Sequence, residues 1–245
     1  MIFDYQEILI ITVLSVFQSI FGVGLLLFGT PLFLILGNDF LNSLNILIPV
    51  SIMISFLQIK SGNVSFKENK FVKKFNIISI PSLLIALIIF VNNYKNLNIN
   101  LIVSLIIISF SLMNILFGKR LIKENNNKTF DSLIFLMIGC IHGMTNLGGS
   151  LLALASARMN SIKEQVRYCI AYGYLVMGIF QLIFINLFTN VQLNIFKLSF
   201  LIIPFMLYKI SQVLFKNLSN IRYNLIINLI ALNFGIFILI KYIKL

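Results

Sequence analysis

Charge is scarce in this chain. Only 11% of its 245 residues are Asp, Glu, Lys or Arg, where soluble domains carry about 25%, and 59% are hydrophobic. No water-soluble core hides that much apolar surface, so the lipid bilayer is the expected solvent and partner. Acid is scarcer still. The seven carboxylates, Asp4, Glu7, Asp39, Glu68, Glu124, Asp131 and Glu164, all fall outside or at the ends of apolar runs. No acid is then available within a run to bind a cation or relay a proton, which argues against a cation antiporter. The two cysteines, Cys140 and Cys169, lie in or beside apolar runs, so neither a disulfide nor a metal site is expected, and no cofactor is implied. A Gly-x-x-x-x-Gly-Lys phosphate loop is missing, so ATP hydrolysis is not built in. The residues before the first apolar run include Asp4 and Glu7 but no Lys or Arg, and that run does not read as a signal peptide.

What is present is a series of apolar segments, near residues 8 to 36, 40 to 59, 75 to 92, 99 to 118, 132 to 157, 165 to 188, 197 to 214 and 223 to 242. At roughly 20 residues each they have the length of membrane spans. The expected fold is an all-α integral membrane protein of eight hydrophobic helical segments, one polytopic domain over residues 1–245. A shift of 123 to 124 residues brings Gly24 onto Gly148, Gln58 onto Gln181 and Pro81 onto Pro204. This predicts two four-segment repeats, about 6–120 and 130–245.

The first and fifth segments differ from the rest. A straight helix from Ile8 to Leu36 would run about 43 Å at ~1.5 Å per residue, against about 30 Å of hydrocarbon. Each carries a breaker near its middle, Phe21-Gly22-Val23-Gly24 with Gly29-Thr30-Pro31 in the first, and His142-Gly143-Met144-Thr145-Asn146-Leu147-Gly148-Gly149-Ser150 in the fifth. Non-helical backbone at membrane depth persists only where protein or a water-filled cavity satisfies it, and matched interrupted segments point to a transporter's binding site.

The net charge of +12 does not imply nucleic acid, because the basic residues gather in short segments between apolar runs. They serve as a test of topology. If all eight segments cross, the 19 Lys and Arg divide 12 to 7 between the two sides; if the first and fifth are re-entrant hairpins, the division becomes 15 to 4. By the positive-inside rule the re-entrant arrangement is preferred. It leaves three crossings per half and inverts one half relative to the other.

A half-helix starting at either break points its free N–H groups and positive dipole end at the membrane midplane, which is an anion site. The candidate binding residues are Gly22, Gly24, Thr30, Pro31, His142, Gly143, Thr145, Asn146, Gly148, Gly149 and Ser150; none is expected to be catalytic. The competing reading is that the glycines simply let helices pack closely. Arg158 and Arg167 flank the turn after the fifth segment, either guiding an anion or anchoring the interface.

The stretches Phe21-Gly22-Val23-Gly24 through Gly29-Thr30-Pro31, Gly143 through Ser150, and the basic Lys60-Ser-Gly-Asn-Val loop together resemble the TauE/SafE family of sulfite and organosulfonate permeases. The first half keeps only Gly24 of that family's glycine run, and the second lacks the following proline. The resemblance implies a multi-pass protein of the bacterial plasma membrane that moves a small anion such as sulfite, a sulfonate or a related organic acid. Homo-oligomerisation is left open. An intramembrane enzyme, using His142 with Cys140 or Ser150, and a non-transporting assembly protein are the alternatives.

Overall fold

The computed structural model describes residues 5–62, 70–93, 128–160, 162–189 and 195–220, with scattered positions elsewhere. Within these the chain is helical and contains no strand. The expected fourth and eighth segments lie almost entirely outside the described residues.

The elements are α1 (Tyr5–Phe21), α2 (Leu25–Ile35), α3 (Phe40–Ser61), α4 (Lys70–Lys74) running through a π-helical turn (Phe75–Ser79) into α5 (Ile80–Asn93), then α6 (Lys128–Thr145), α7 (Gly149–Met159), α8 (Lys163–Phe188), and a 3-10 segment (Ile195–Leu201) leading into α9 (Ile202–Lys216). Four stretches are long and apolar enough to cross a membrane: Phe40–Ser61, Lys70–Phe90, Lys163–Phe188 and Ile195–Lys216. Their outward faces carry Ile77, Ile85, Ile88, Leu187, Phe205, Met206 and Ile210, all exposed. In water these faces would form an apolar surface far larger than soluble monomers tolerate. In lipid they are the natural solvent boundary.

Proline and capping chemistry place several of the boundaries. Asp39 starts α3, its carboxylate accepting from the N–H groups of Leu41 and Asn42 at 3.1 and 3.4 Å, which satisfies donors left free at a helix start. Pro81 and Pro204, which the sequence aligns, both sit just after irregular helix, the π turn in one case and the 3-10 segment in the other. A proline has no N–H to give the preceding turn, so the backbone there departs from α geometry.

The two broken segments fold back on themselves. A Cβ added at Gly29 in α2 would lie 3.4 Å from the Leu14 side chain of α1, and the rings of Phe17 and Phe28 are 5.4 Å apart. In one straight helix Leu14 and Gly29 would be separated by about 22 Å. The second break reverses likewise, since a Cβ at Gly148 would lie 2.8 Å from the Ile138 carbonyl. Both α2 and α7 have 11 residues, and their starts differ by the shift seen in the sequence. The chain therefore forms two helical hairpins, α1–α2 and α6–α7.

Side-chain contacts give the helix directions. Along α3 and α8, Asn45 meets Asn186, Ile48 and Ile52 meet Gly178, and Gly62 meets Tyr168, so these helices run antiparallel. α5 runs parallel to α6, from Lys74–Asp131 through Ser79–Phe135 to Ala86–Gly143. α1 runs parallel to the 3-10 segment and α9, from Glu7–Lys197 to Ser19–Gln212. Each hairpin thus leans on a helix from the other half of the chain. The hairpins enter from opposite ends of the bundle, the first packing on α3 through Gln18 and Ser51 and the second on α8 through Gly149 and Tyr174.

One expectation is corrected. Glu7 stands at the end of an apolar run in the sequence but is only 4% exposed, because the 3-10 segment crosses over it and brings Lys197 Nζ to 2.8 Å. The carboxylate is buried at an end of the bundle, paired with its own cation, and away from the helix breaks. The other basic residues with described positions, including Lys60, Lys70, Lys73, Lys74, Lys163 and Lys216, belong to the opposite end. There Lys163 Nζ donates to the carbonyls of Phe215, Lys216 and Leu218 at the end of α9.

Candidate functional site

The first break turns at Gly22 and Gly24, with φ of 81° and 145°. The second value is open to glycine but not to an L side chain, and a Cβ at Gly24 would also strike the Phe17 ring. The leading backbone donor freed by this turn is met by a side chain. Gln18 Oε1 accepts from the Leu25 N–H, the first of α2, at 3.2 Å. Gln18 Nε2 in turn donates to Ser51 Oγ at 2.9 Å and Ser55 Oγ at 3.4 Å.

Three carbonyls at the end of α1 are covered as well. Gln58 Nε2 donates to the Gln18 and Ser19 carbonyls at 2.8 and 3.1 Å, Arg167 to Ser19 at 3.3 Å, Gln212 to Ser19 at 3.5 Å, and the Tyr223 hydroxyl to the Phe21 carbonyl. Arg167 is buried, and no carboxylate among the described residues pairs with it. Its charge is stabilised by the negative dipole end of α1 and by the Phe215 ring, whose centroid lies 3.5 Å from the guanidinium carbon. The vestibule and surface-anchor roles expected for this arginine both give way to a buried clamp on the first hairpin. The side chain of Arg158 lies outside the described residues.

The second break turns at Asn146, whose φ is 63°, a conformation that asparagine adopts more readily than most residues. Thr145 is used locally, donating to the Ile141 carbonyl at 2.7 Å and accepting from the Leu147 N–H at 3.3 Å. Asn146 Nδ2 reaches across to Thr30 Oγ1 of α2 at 3.0 Å, which joins the two hairpins in the fully buried interior.

Around this turn the polar groups are not met. Ser150 Oγ, Tyr174 OH, Asn146 Oδ1, Gln181 Oε1 and both imidazole nitrogens of His142 are buried with no hydrogen-bond partner among the described residues. The Tyr174 hydroxyl packs directly on the Gly149 Cα, so a methyl group at 149 would collide with it. The His142 ring meets the Tyr174 ring edge-on at 5.8 Å. Gln181 lies near the imidazole but not in hydrogen-bonding geometry. No side chain caps the start of α7, where Gly148 is the N-cap.

Of the residues singled out from sequence, the structure brings together Thr30, His142, Asn146, Gly148, Gly149 and Ser150. Gly22 and Gly24 shape the first break, with Gly22 against Ile170 and Arg167, and Pro31 is buried within α2. Gly143 faces away from the cluster, its missing side chain letting α6 close on Ala86 and Leu83 of α5. Sequence reasoning passed over Gln18, Ser51, Tyr174 and Gln181 as members of the site. A signal was there: under the 123-to-124-residue shift Gln18, Ser51 and Gln58 fall on His142, Tyr174 and Gln181, three polar pairs inside apolar runs.

Among the described residues no three His, Cys, Asp or Glu side chains gather where a metal could bind. No family model matches the chain, and neither a curated protein nor a solved structure matches it.

Proposed function

We propose that the protein is a secondary transporter of a small anion, built as an inverted duplication and working by alternating access around its two helix breaks. The observation that carries this reading is the pair of oppositely directed hairpins, joined where Asn146 at the turn of the second meets Thr30 within α2 of the first. Irregular backbone at the centre of an apolar bundle is costly unless it lines a path or a site. Two such turns offering helix N-termini suit a negatively charged passenger. The inverted duplication is supported by two matching contacts among the described residues, α1 running parallel to α9 and α6 parallel to α5.

The end rich in Lys and Arg is assigned to the cytoplasm of a bacterial cell and the end holding Glu7 and Lys197 to the outside. On this reading the hairpins are re-entrant, one from each face. By the resemblance to TauE/SafE permeases, the passenger is sulfite, an organosulfonate or a related organic anion. An enzyme is the weaker reading. Its base and nucleophile should be in contact, and neither imidazole nitrogen of His142 is hydrogen-bonded to Ser150 or Cys140.

The test is uptake and efflux of labelled sulfite, sulfonates and small carboxylates in proteoliposomes, with Gly24→Leu and Gly149→Leu alongside. The expected outcome is transport of at least one of these anions by the unmodified chain and its loss in both variants. Folded protein that moves none of them, or variants that transport normally, would overturn the proposal.

A further inference from the structure

The two breaks occupy matching positions but are chemically unlike. At the first, the leading N–H of α2 is taken by the Gln18 side chain, and the next residues, Leu26 and Leu27, are fully buried and apolar. The unpartnered atoms left nearby, Ser15 Oγ, Ser19 Oγ and Gln58 Oε1, belong to α1 and α3 and not to α2. At the second, Gly149 and Ser150 stand where the first has Leu25 and Leu26. His142 and Tyr174 stand where the first has Gln18 and Ser51. Substituting histidine for glutamine and tyrosine for serine dismantles the internal cap, while serine for leucine adds a donor to the uncapped first turn of α7.

We infer that the second break alone holds the passenger, and that it selects a monoanion. The inference rests on the transporter reading above. The donors are the free N–H groups at the start of α7, Ser150 Oγ and Tyr174 OH, with the His142 imidazole beside them. Tyr174 is thereby a binding residue. It stands on α8, outside both glycine clusters, and reaches the Gly149 backbone.

Three features set the charge and size. The helix terminus supplies about half a positive charge. Among the described residues no side-chain cation joins the cluster, since Arg167 is committed to the first hairpin. Two side-chain carbonyl oxygens, Asn146 Oδ1 and Gln181 Oε1, are unpartnered there as well, and they repel a second negative charge. The contact between Tyr174 and Gly149 leaves little room, so the group recognised is compact, a carboxylate or a sulfonate.

The experiment is equilibrium binding of radiolabelled methanesulfonate to the purified full-length protein, with sulfate as competitor, followed by transport of the same probe in proteoliposomes. Sulfate is of similar size and carries one more charge. The unmodified chain is expected to bind methanesulfonate and to be displaced poorly by sulfate. Ser150→Ala and Tyr174→Phe, which keep shape and remove one hydroxyl each, are expected to weaken binding about tenfold, the effect of losing one charge-assisted hydrogen bond. Leu26→Ala, at the matching position of the first break, is expected to leave affinity within about twofold.

Unchanged affinity in both hydroxyl variants, equal weakening by Leu26→Ala, or sulfate outcompeting the labelled probe would each overturn the inference while leaving transport itself intact. A chain that transports sulfate but neither binds nor transports methanesulfonate would do the same. Failure of the unmodified chain to bind or move any anion would overturn the transporter reading with it.

Discussion

The hydrogen bond from Asn146 to Thr30 joins the two hairpins in the buried interior, and it yields to a double-mutant cycle. Thr30→Val preserves side-chain shape but removes the acceptor, which strands Asn146 Nδ2 in a fully buried site. Its partner atom Oδ1 is already unpaired. Losing a typical bond costs about 1 kcal/mol, and a stranded buried donor about 1–3, so about 2 kcal/mol is a fair expectation.

Asn146→Gly removes both amide atoms and suits the φ of 63° at that position. The variant should be near neutral in stability. In its background Thr30→Val has no donor left to strand and should cost less than about 0.5 kcal/mol. The coupling is then about 1.5 kcal/mol, well above the few tenths found for independent sites.

Thermal unfolding of the four proteins by far-UV circular dichroism, in one detergent and at one scan rate, measures it. At about 2–4 °C per kcal/mol for a chain of this size, Thr30→Val should lower the midpoint by about 4–8 °C alone and by under about 2 °C in the Asn146→Gly background. Equal drops in both backgrounds would refute the claim that this bond holds the hairpins together.

Lys197→Met should strand the Glu7 carboxylate and cost about 1–2 kcal/mol, below the usual figure for a broken buried pair because the lysine side chain is 28% exposed; Glu7→Gln added to it should restore most of the midpoint. Gly143→Ala, which drives a methyl to within 2.9 Å of the Leu83 carbonyl and 2.8 Å of Ala86, should cost about 1–3 kcal/mol while leaving anion affinity unchanged in the folded fraction. Weakened binding there would return Gly143 to the site. With Cys140 and Cys169 replaced by alanine, Gly37→Cys should label with an impermeant maleimide on intact cells, and Asn160→Cys only after permeabilisation; the reverse pattern would refute the assigned orientation.

The hairpins were legible because two independent signals agreed. Glycine breaks marked where each segment turns, and a re-entrant path divides the basic residues 15 to 4 between the sides where a crossing path divides them 12 to 7. The partners of the freed backbone groups were not legible. Gln18 meets residues 33 and 40 positions away, Arg167 acts at a distance of 148 residues, and Glu7 finds its cation 190 residues on. Periodicity carries no information about such pairings.

Gly143 shows a different gap. A glycine's neighbours in sequence do not tell which side of its helix faces another backbone, so a packing glycine and a binding glycine read alike until the partner helix is known. Here the partner is α5, which has no glycine at the crossing and contributes Ala86 and the Leu83 carbonyl.

Energetics accounts for why one break is closed and the other left open. Six buried polar atoms at the second break have no partner among the described residues, and three near the first. Each buried polar group left unmet costs about 1–3 kcal/mol, so such groups are tolerated most readily where a further partner can reach them. Closing the first turn with Gln18, Gln58, Arg167 and Tyr223 keeps one hairpin as a rigid reference. The open polar turn is then confined to the other, where on the proposed reading a passenger would supply the missing bonds. Binding and stability are linked by that arrangement, because any ligand held only by the folded state raises the unfolding midpoint with its concentration. The isosteric loss of the Tyr174 hydroxyl should therefore shrink the stabilisation by methanesulfonate without lowering the midpoint of the unliganded protein.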